Sequence, residues 1–148
     1  MYKNLLVPTD GTKLSDKALR AAVGLAQAVG GRITLFHAVP EYQHAIYMES
    51  AVLADSVPPE TFNAEAVNWA NKMLAREARK VDAAGVKVTT DCAVGNTTHE
   101  AIIAAATKHK CGLVVMASHG RSGVSGFLLG SETQKVLTHS KIPVLVVR

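Results

Sequence analysis

Short apolar runs alternate with amphipathic stretches along the whole chain, and that alternation predicts its elements. Asn4-Leu-Leu-Val-Pro8 is an apolar run of strand length. Leu14, Ala18, Ala21, Leu25 and Val29 then recur at steps of three and four, the spacing of one helix face. Gly30-Gly31 closes that helix as a C-terminal cap, and Arg32 to Val39 predicts a second strand. The connection from Pro40 to Pro59 has no clear period. Val67, Ala70, Leu74, Ala78 and Val81 line a second helix, closed by Gly85, and Val86 to Val94 is a partly alternating third strand. Thr97 and Glu100 have capping-box spacing and open a third helix that ends near His109. Cys111 to Ala117 predicts the fourth strand. Ser131 and Gln134 repeat the capping-box spacing at a last helix ending near His139, and Pro143 to Val147 is the fifth strand.

Strands that alternate with helices imply an α/β fold with right-handed crossovers and a parallel sheet. Leu5-Leu-Val and Leu113-Val-Val are continuously apolar, as central strands covered on both faces are. The economical five-stranded arrangement is the Rossmann-like order 3-2-1-4-5, with helices on both faces. Its switch point lies between strands one and four, and ligands in such sheets bind beyond the carboxyl ends of the flanking strands. Those ends carry Pro8-Thr9-Asp10-Gly11 and the segment from Ala117 to Ser131. No linker, repeat or low-complexity tract divides residues 1–148, so one domain is expected.

Composition narrows the picture. Of 148 residues, 48% are hydrophobic and 19% charged, a globular balance. No window approaches the ~20 apolar residues of a membrane helix, and the apolar run at the start is too short for a signal peptide. A cytoplasmic protein with no membrane partner is expected. Cys92 and Cys111 have neither C-x-x-C nor zinc spacing, so reduced thiols are expected. The net charge of +4 comes from scattered Lys and Arg with no basic-aromatic cluster, which argues against nucleic acid. A mild positive field equally favours a small polyphosphate.

The candidate chemistry concentrates in Ala117-Ser-His-Gly-Arg-Ser-Gly-Val-Ser-Gly-Phe-Leu-Leu-Gly-Ser131. Gly120, Gly123, Gly126 and Gly130 sit among small hydroxyl residues just ahead of a helix. Free N–H groups and the positive end of that helix make an anion site, here read as a phosphate cradle. Asp10, at the end of the first strand, is either a carboxylate for a magnesium ion accompanying phosphates or a turn and cap residue. Ser131 caps its helix, and its hydroxyl and N–H can also meet phosphate. Arg121 either pairs with a terminal phosphate or is a solvated charge. His119 either bonds ribose or phosphate or is structural beside a tight turn, and His37 reads as a satisfied, half-buried histidine.

Several enzyme classes are excluded. There is no G-x-x-x-x-G-K-[ST], and the first strand-helix turn lacks G-x-G-x-x-G. No G-x-S-x-G elbow accompanies a Ser, Asp and His set. The acidic cluster of a receiver domain is missing, and no general base is aimed at a water. Binding, not turnover, is the expectation.

These residues resemble a known family. Leu5-Leu-Val-Pro-Thr-Asp-Gly11 and Ser118-His-Gly, nine residues and Gly130-Ser131, then Ile142-Pro-Val-Leu-Val-Val147, are similar to the universal stress protein family. The resemblance covers essentially the whole chain and implies an adenine nucleotide alpha-hydrolase-like fold. Its ATP-binding branch carries G-x-x-G-(nine residues)-G-[ST]. Gly120, Gly130 and Ser131 match, while Ala117 replaces the first glycine. If that backbone needed φ > 0, alanine would cost about 1–2 kcal/mol; with negative φ the change is nearly silent.

The resemblance implies ATP, with adenine against Pro8, Thr9, Asp10 and the backbone around Val39, and with Met116 and Ala117 flanking the nucleoside. Gly120 would face ribose and phosphates, while Gly130, Ser131, Glu132 and Thr133 would hold the phosphates, Glu132 through its N–H. It also implies a homodimer pairing the last strands through Val144, Leu145, Val146 and Val147, an apolar edge that partnering would cover. Tyr42, Tyr47 and Met48 would close over the nucleotide or pack between subunits, unless they form a surface loop. The expected function is a stress-response protein whose nucleotide occupancy tunes dimer or partner interactions. The alternatives are a dimeric interaction module that binds no nucleotide, and an enzyme acting on another phosphorylated molecule.

Overall fold

The computed structural model describes residues 2–41, 58–119 and 129–148. Tyr42, Tyr47 and Met48, like Gly120, Arg121, Gly123 and Gly126, lie outside the described residues. The elements run β1 (Asn4–Pro8), α1 (Lys13–Val29), β2 (Arg32–Pro40), α2 (Pro59–Ala83), β3 (Lys87–Gly95), α3 (Thr98–Lys108), β4 (Leu113–Ala117), α4 (Ser131–His139) and β5 (Val144–Val147). The sheet has the expected order, β3-β2-β1-β4-β5, and every pairing is parallel.

Period-two alternation on the central strands divides the core in two. Leu5, Val7, Leu113 and Val115 face Leu19, Ala22 and Ala26 of α1 and Met73, Leu74 and Val81 of α2. Leu6, Val114 and Met116 face Ile102, Ala105 and Ala106 of α3 and Val136 of α4, with Phe36 of β2 among them. Leu5, Leu6 and Val7 are fully inaccessible, as a strand covered on both faces requires.

The face that α1 buries differs from the predicted one. Ser15, Ala18, Leu19, Ala22 and Ala26 are buried, whereas Leu14, Leu25 and Val29 are only partly covered and Ala21 is exposed. Small side chains let the helix approach the sheet closely, and the larger apolar residues pack at its flanks. Only Ala18 belongs to both stripes.

Two predicted caps are also corrected. Gly130, not Ser131, is the N-cap of α4, and Ser131 is the first helical residue. Thr97 precedes α3 as foreseen but makes no side-chain cap bond; instead Glu132 of α4 accepts the His99 N–H at 3.0 Å. The fourth strand starts at Leu113 because Cys111 still closes α3, donating its N–H to the Ala106 carbonyl at 2.8 Å. Gly30, with φ of 60°, ends α1 as expected. No helix among the described residues is long and apolar enough to cross a membrane.

Charges join α1 to α2. Asp16 accepts from Arg20 Nε at 2.9 Å and from Lys80 Nζ at 2.9 Å. Lys80 also meets Glu77 Oε2 at 2.6 Å, and Arg76 Nε donates to Glu77 Oε1 at 3.2 Å. Glu77 is buried at 3% exposure, and these cations are its charged partners. Lys80 first, then Arg20, holds the Asp16 carboxyl below its ordinary value. A carboxyl lowered on folding stabilises above its unfolded pKa, and that stability is lost as pH falls through the folded value. Asp16→Asn should therefore cost about 0.2–1 kcal/mol at neutral pH, the range for exposed partners, or up to roughly 4 °C in Tm. Melting curves should show this gap closing as the pH drops below about 4, where free carboxyls protonate.

Candidate functional site

The central ladder of the sheet is short. β1 pairs with β4 only at Leu5↔Leu113 and Leu6↔Val114. Each strand then follows its outer neighbour, β1 to Pro8↔Phe36 on β2 and β4 to Ala117↔Val147 on β5. The strands part at their carboxyl ends, and a cavity of about 230 Å³ opens there. It is lined by Pro8, Thr9 and Asp10, by Phe36, His37 and Ala38 of β2, by Met116 and Ala117 of β4, and by Gly130, Ser131, Glu132 and Thr133. Ser15 of α1 and Thr98 and Ile102 of α3 complete the lining.

The β1 lip is held by its own hydrogen bonds. Thr9 N–H donates to Phe36 O at 2.9 Å, and Thr9 Oγ1 bonds Ser15 Oγ at 3.1 Å and accepts Gly11 N–H at 3.2 Å. His37 Nδ1 lies 2.7 Å from Thr9 O. A carbonyl only accepts, so Nδ1 carries the hydrogen and donates. Trp69 of α2 meets the His37 ring edge-on at 5.6 Å between centroids. Asp10 Oδ1 accepts from Thr12 N–H at 3.0 Å and Thr12 Oγ1 at 2.7 Å, while Thr12 caps α1 by accepting Ser15 N–H at 3.2 Å. Burial pushes the Asp10 carboxyl up, but bonds from Thr12 and then Ser15 outweigh it and hold the group below its ordinary value. Asp10 thus serves the turn through Oδ1, and it stays ionised beside the cavity.

The opposite lip is built on close backbone approach. Gly130 N–H donates to Ser118 O at 2.7 Å. A Cβ on Gly130 would lie 3.0 Å from that oxygen and 3.2 Å from His119 Cα, so a side chain would force the lip apart. Thr133 Oγ1, buried, donates to Ala117 O at 3.0 Å. The first ladder bond of α4 runs from Gln134 N–H to Gly130 O at 2.9 Å, which places Ser131, Glu132 and Thr133 among the first-turn N–H groups that precede it. Among the described residues, only Tyr2 and Lys110 combine a side chain with positive φ. Ala117 therefore carries no left-handed strain, and a glycine is not needed there for backbone reasons. Glu132 turns its carboxylate to Lys135 Nζ at 2.8 Å and to His99 N–H. Burial raises its pKa, but Lys135 and then His99 hold it below its ordinary value.

Pro8, Thr9, Asp10, Met116, Ala117, Gly130, Ser131, Glu132 and Thr133 are therefore brought to one cavity, as their positions in sequence suggested. Val39 is buried at 1% exposure and does not line the cavity; its neighbour Ala38 does. His119 also lies off the lining, bonded through Nδ1 to Ser118 Oγ at 3.0 Å. Gly120 and Arg121 fall outside the described residues. Ser15, Phe36, His37, Ala38, Thr98 and Ile102 were missed. Thr98 and Ile102, four apart on one helix face, left a periodic signal, but nothing in their types marks a cavity wall. No cluster of three or more His, Cys, Asp or Glu side chains among the described residues is placed to hold a metal by itself.

A parallel sheet that opens at its switch point onto a cavity backed by a helix N-terminus defines a doubly wound α/β fold, in which such a crevice is the usual place for a ligand. The chain belongs to the universal stress protein family, whose model matches residues 1–148. It is 34% identical to universal stress protein YxiE of Bacillus subtilis, with all of both chains covered. Among solved structures, MJ0577 superposes with a TM-score of 0.82 at 26% identity, covering 99% of this chain and 96% of that one. MJ0577 is a universal stress protein of Methanocaldococcus jannaschii. A universal stress protein solved in complex with cyclic AMP matches with a TM-score of 0.71 at 25% identity, covering 99% and 97%.

The Thr133 bond gives a direct check on the lip. Thr133→Val keeps shape and removes the donor to Ala117 O, which should cost about 1–2 kcal/mol, roughly 3–7 °C in Tm. Thr138→Val, at an exposed site that bonds Gln134 O at 2.8 Å, should change Tm by less than about 2 °C. Equal shifts for the two variants would contradict the role given to Thr133.

Proposed function

We propose that this cytoplasmic universal stress protein binds an adenine nucleotide, ATP above all, in the crevice between β1 and β4, and that occupancy tunes its association. The observation that carries this reading is the convergence of the parted strand ends and the α4 N-terminus on one cavity. A family member of like fold was solved with cyclic AMP, which agrees with a nucleotide of this class. In this reading the base lies toward Pro8, Thr9 and the end of β2. The nucleoside lies toward Met116 and Ala117, and phosphate meets the N–H groups of Gly130 to Thr133. Gly120 and Arg121 would complete the cradle.

Magnesium fits the donor set. Asp10 offers one ionised carboxylate, and the ion prefers one or two carboxylates with phosphate oxygens completing its shell. When bound, magnesium would offset phosphate charge; Asp10, fixed by Thr12, would orient it. Pure protein should release adenine nucleotide into a mass spectrum, or melt higher with ATP and magnesium. At about 100 times Kd the gain is about 2.7 kcal/mol. Gly130→Val should remove the shift, and a preserved shift would sink the cradle.

The association surface we propose is β5. It pairs only with β4 among the described strands, and Leu145 is 42% exposed there, with Leu137 of α4 at 40%. A homodimer joined along Val144 to Val147 would cover this apolar edge. The alternative module without nucleotide uses the same edge, and the two carboxylates beside the cavity, Asp10 and Glu132, favour it to the extent that they repel phosphate. Sedimentation should show a dimer that Leu145→Asp converts to monomer; an unchanged sedimentation coefficient would place the interface elsewhere.

A further inference from the structure

Glu132 is the one acidic side chain on the α4 wall of the cavity, and the groups behind it are unusual. Oε2 accepts the His99 N–H at 3.0 Å, which makes Glu132 the surrogate cap of α3. His99 Nδ1 lies 3.5 Å from the same oxygen, with its side chain 13% exposed, and Nδ1 makes no hydrogen bond although it is buried. Without a hydrogen on Nδ1, its lone pair faces a carboxylate; with one, the ring is placed to donate to that carboxylate across a small shift. A protonated ring, shifted by a few tenths of an ångström, makes a charge-assisted bond to Oε2.

The surroundings single out His99. From α4 it meets Glu132, Lys135 beyond it, and His139, whose ring is 5.4 Å away at 32°. On α3 its neighbour is Glu100. On β3, Asp91 is engaged at the far end of α3 by Lys108 at 2.8 Å and His109 at 2.6 Å. On β2, His37 is bonded to Thr9, and on β1, Asp10 is bonded to Thr12. Lys135 already pairs with Glu132, but its side chain is half exposed, so water screens it. A charge on buried Nδ1 acts through less solvent.

Building on the nucleotide reading above, we propose that His99 sets the cavity's tolerance for phosphate. Protonation of both ring nitrogens, with Nδ1–H held against Glu132, places a positive charge beside its carboxylate, so phosphorylated ligands bind more tightly as pH falls while uncharged nucleosides do not. Glu132 remains ionised throughout, and imidazoles change charge between about pH 5 and 8. By linkage, binding of a phosphorylated ligand takes up protons.

Cyclic AMP and adenosine make the test. The diester of cyclic AMP keeps one charge across this range, whereas a phosphomonoester titrates near about pH 6 and would confuse the result. Calorimetry at pH 8 and 5.5, in two buffers of different ionisation enthalpy, should show cyclic AMP tightening about fivefold, with proton uptake, and adenosine changing little. His99→Asn should flatten the response and His139→Phe should keep it. Proton uptake by the unaltered protein, and an upward shift of the His99 imidazole titration by NMR on adding cyclic AMP, read the linkage even if a variant folds poorly. Cyclic AMP bound with the same affinity at both pH values would overturn the role of His99 alone. So would an equal gain for adenosine, or an unchanged response in folded His99→Asn. Failure of both ligands to bind at every pH would remove the nucleotide reading and this role with it.

Discussion

Everything at the carboxyl edge of this sheet depends on where the pairing of β1 with β4 stops. Two residue pairs join the strands, and beyond them each strand keeps to its outer partner. The divergence follows from topology. α1 and α2 cover one face and α3 and α4 the other, so the connections leave β1 and β4 toward opposite sides. A cleft between the strand ends is then unavoidable, and strand termini form part of its walls.

A cleft made this way exposes polar backbone, and the chain meets that cost differently at its two lips. At β1 the turn is held by side chains: Thr9, Ser15, Thr12 and His37 form one hydrogen-bonded set around Asp10. At β4 the backbone does the work, with Gly130 drawn against Ser118 O and Thr133 tied to Ala117 O. The second arrangement is the tighter at one point, because a Cβ on Gly130 would press on Ser118 O and His119 Cα.

The strand order and the position of the cleft could be read from the chain because they rest on long, repeated signals: two fully apolar strands and helices between every pair. Nine of the proposed site residues lie together for the same reason, since strand ends converge in any sheet of this order. What could not be read is set by side-chain size and by contacts distant in sequence. The stripe on α1 was misplaced because periodicity weighs Leu14 and Leu25 above Ala22 and Ala26, whereas close helix-sheet packing favours the small residues. The cap of α3 was misread because local spacing says nothing of Glu132 reaching across from another helix, and that of α4 by one residue, since Gly130 takes the N-cap position given to Ser131. Val39 and Ala38 differ by one position on a strand, enough to move a side chain from one face to the other.

The chain has one tryptophan, and it leans on the ring that holds Thr9 O. Indole emission is sensitive to a neighbouring imidazole and to local polarity. The protein thus carries a built-in optical gauge of its β1 lip, readable without any label.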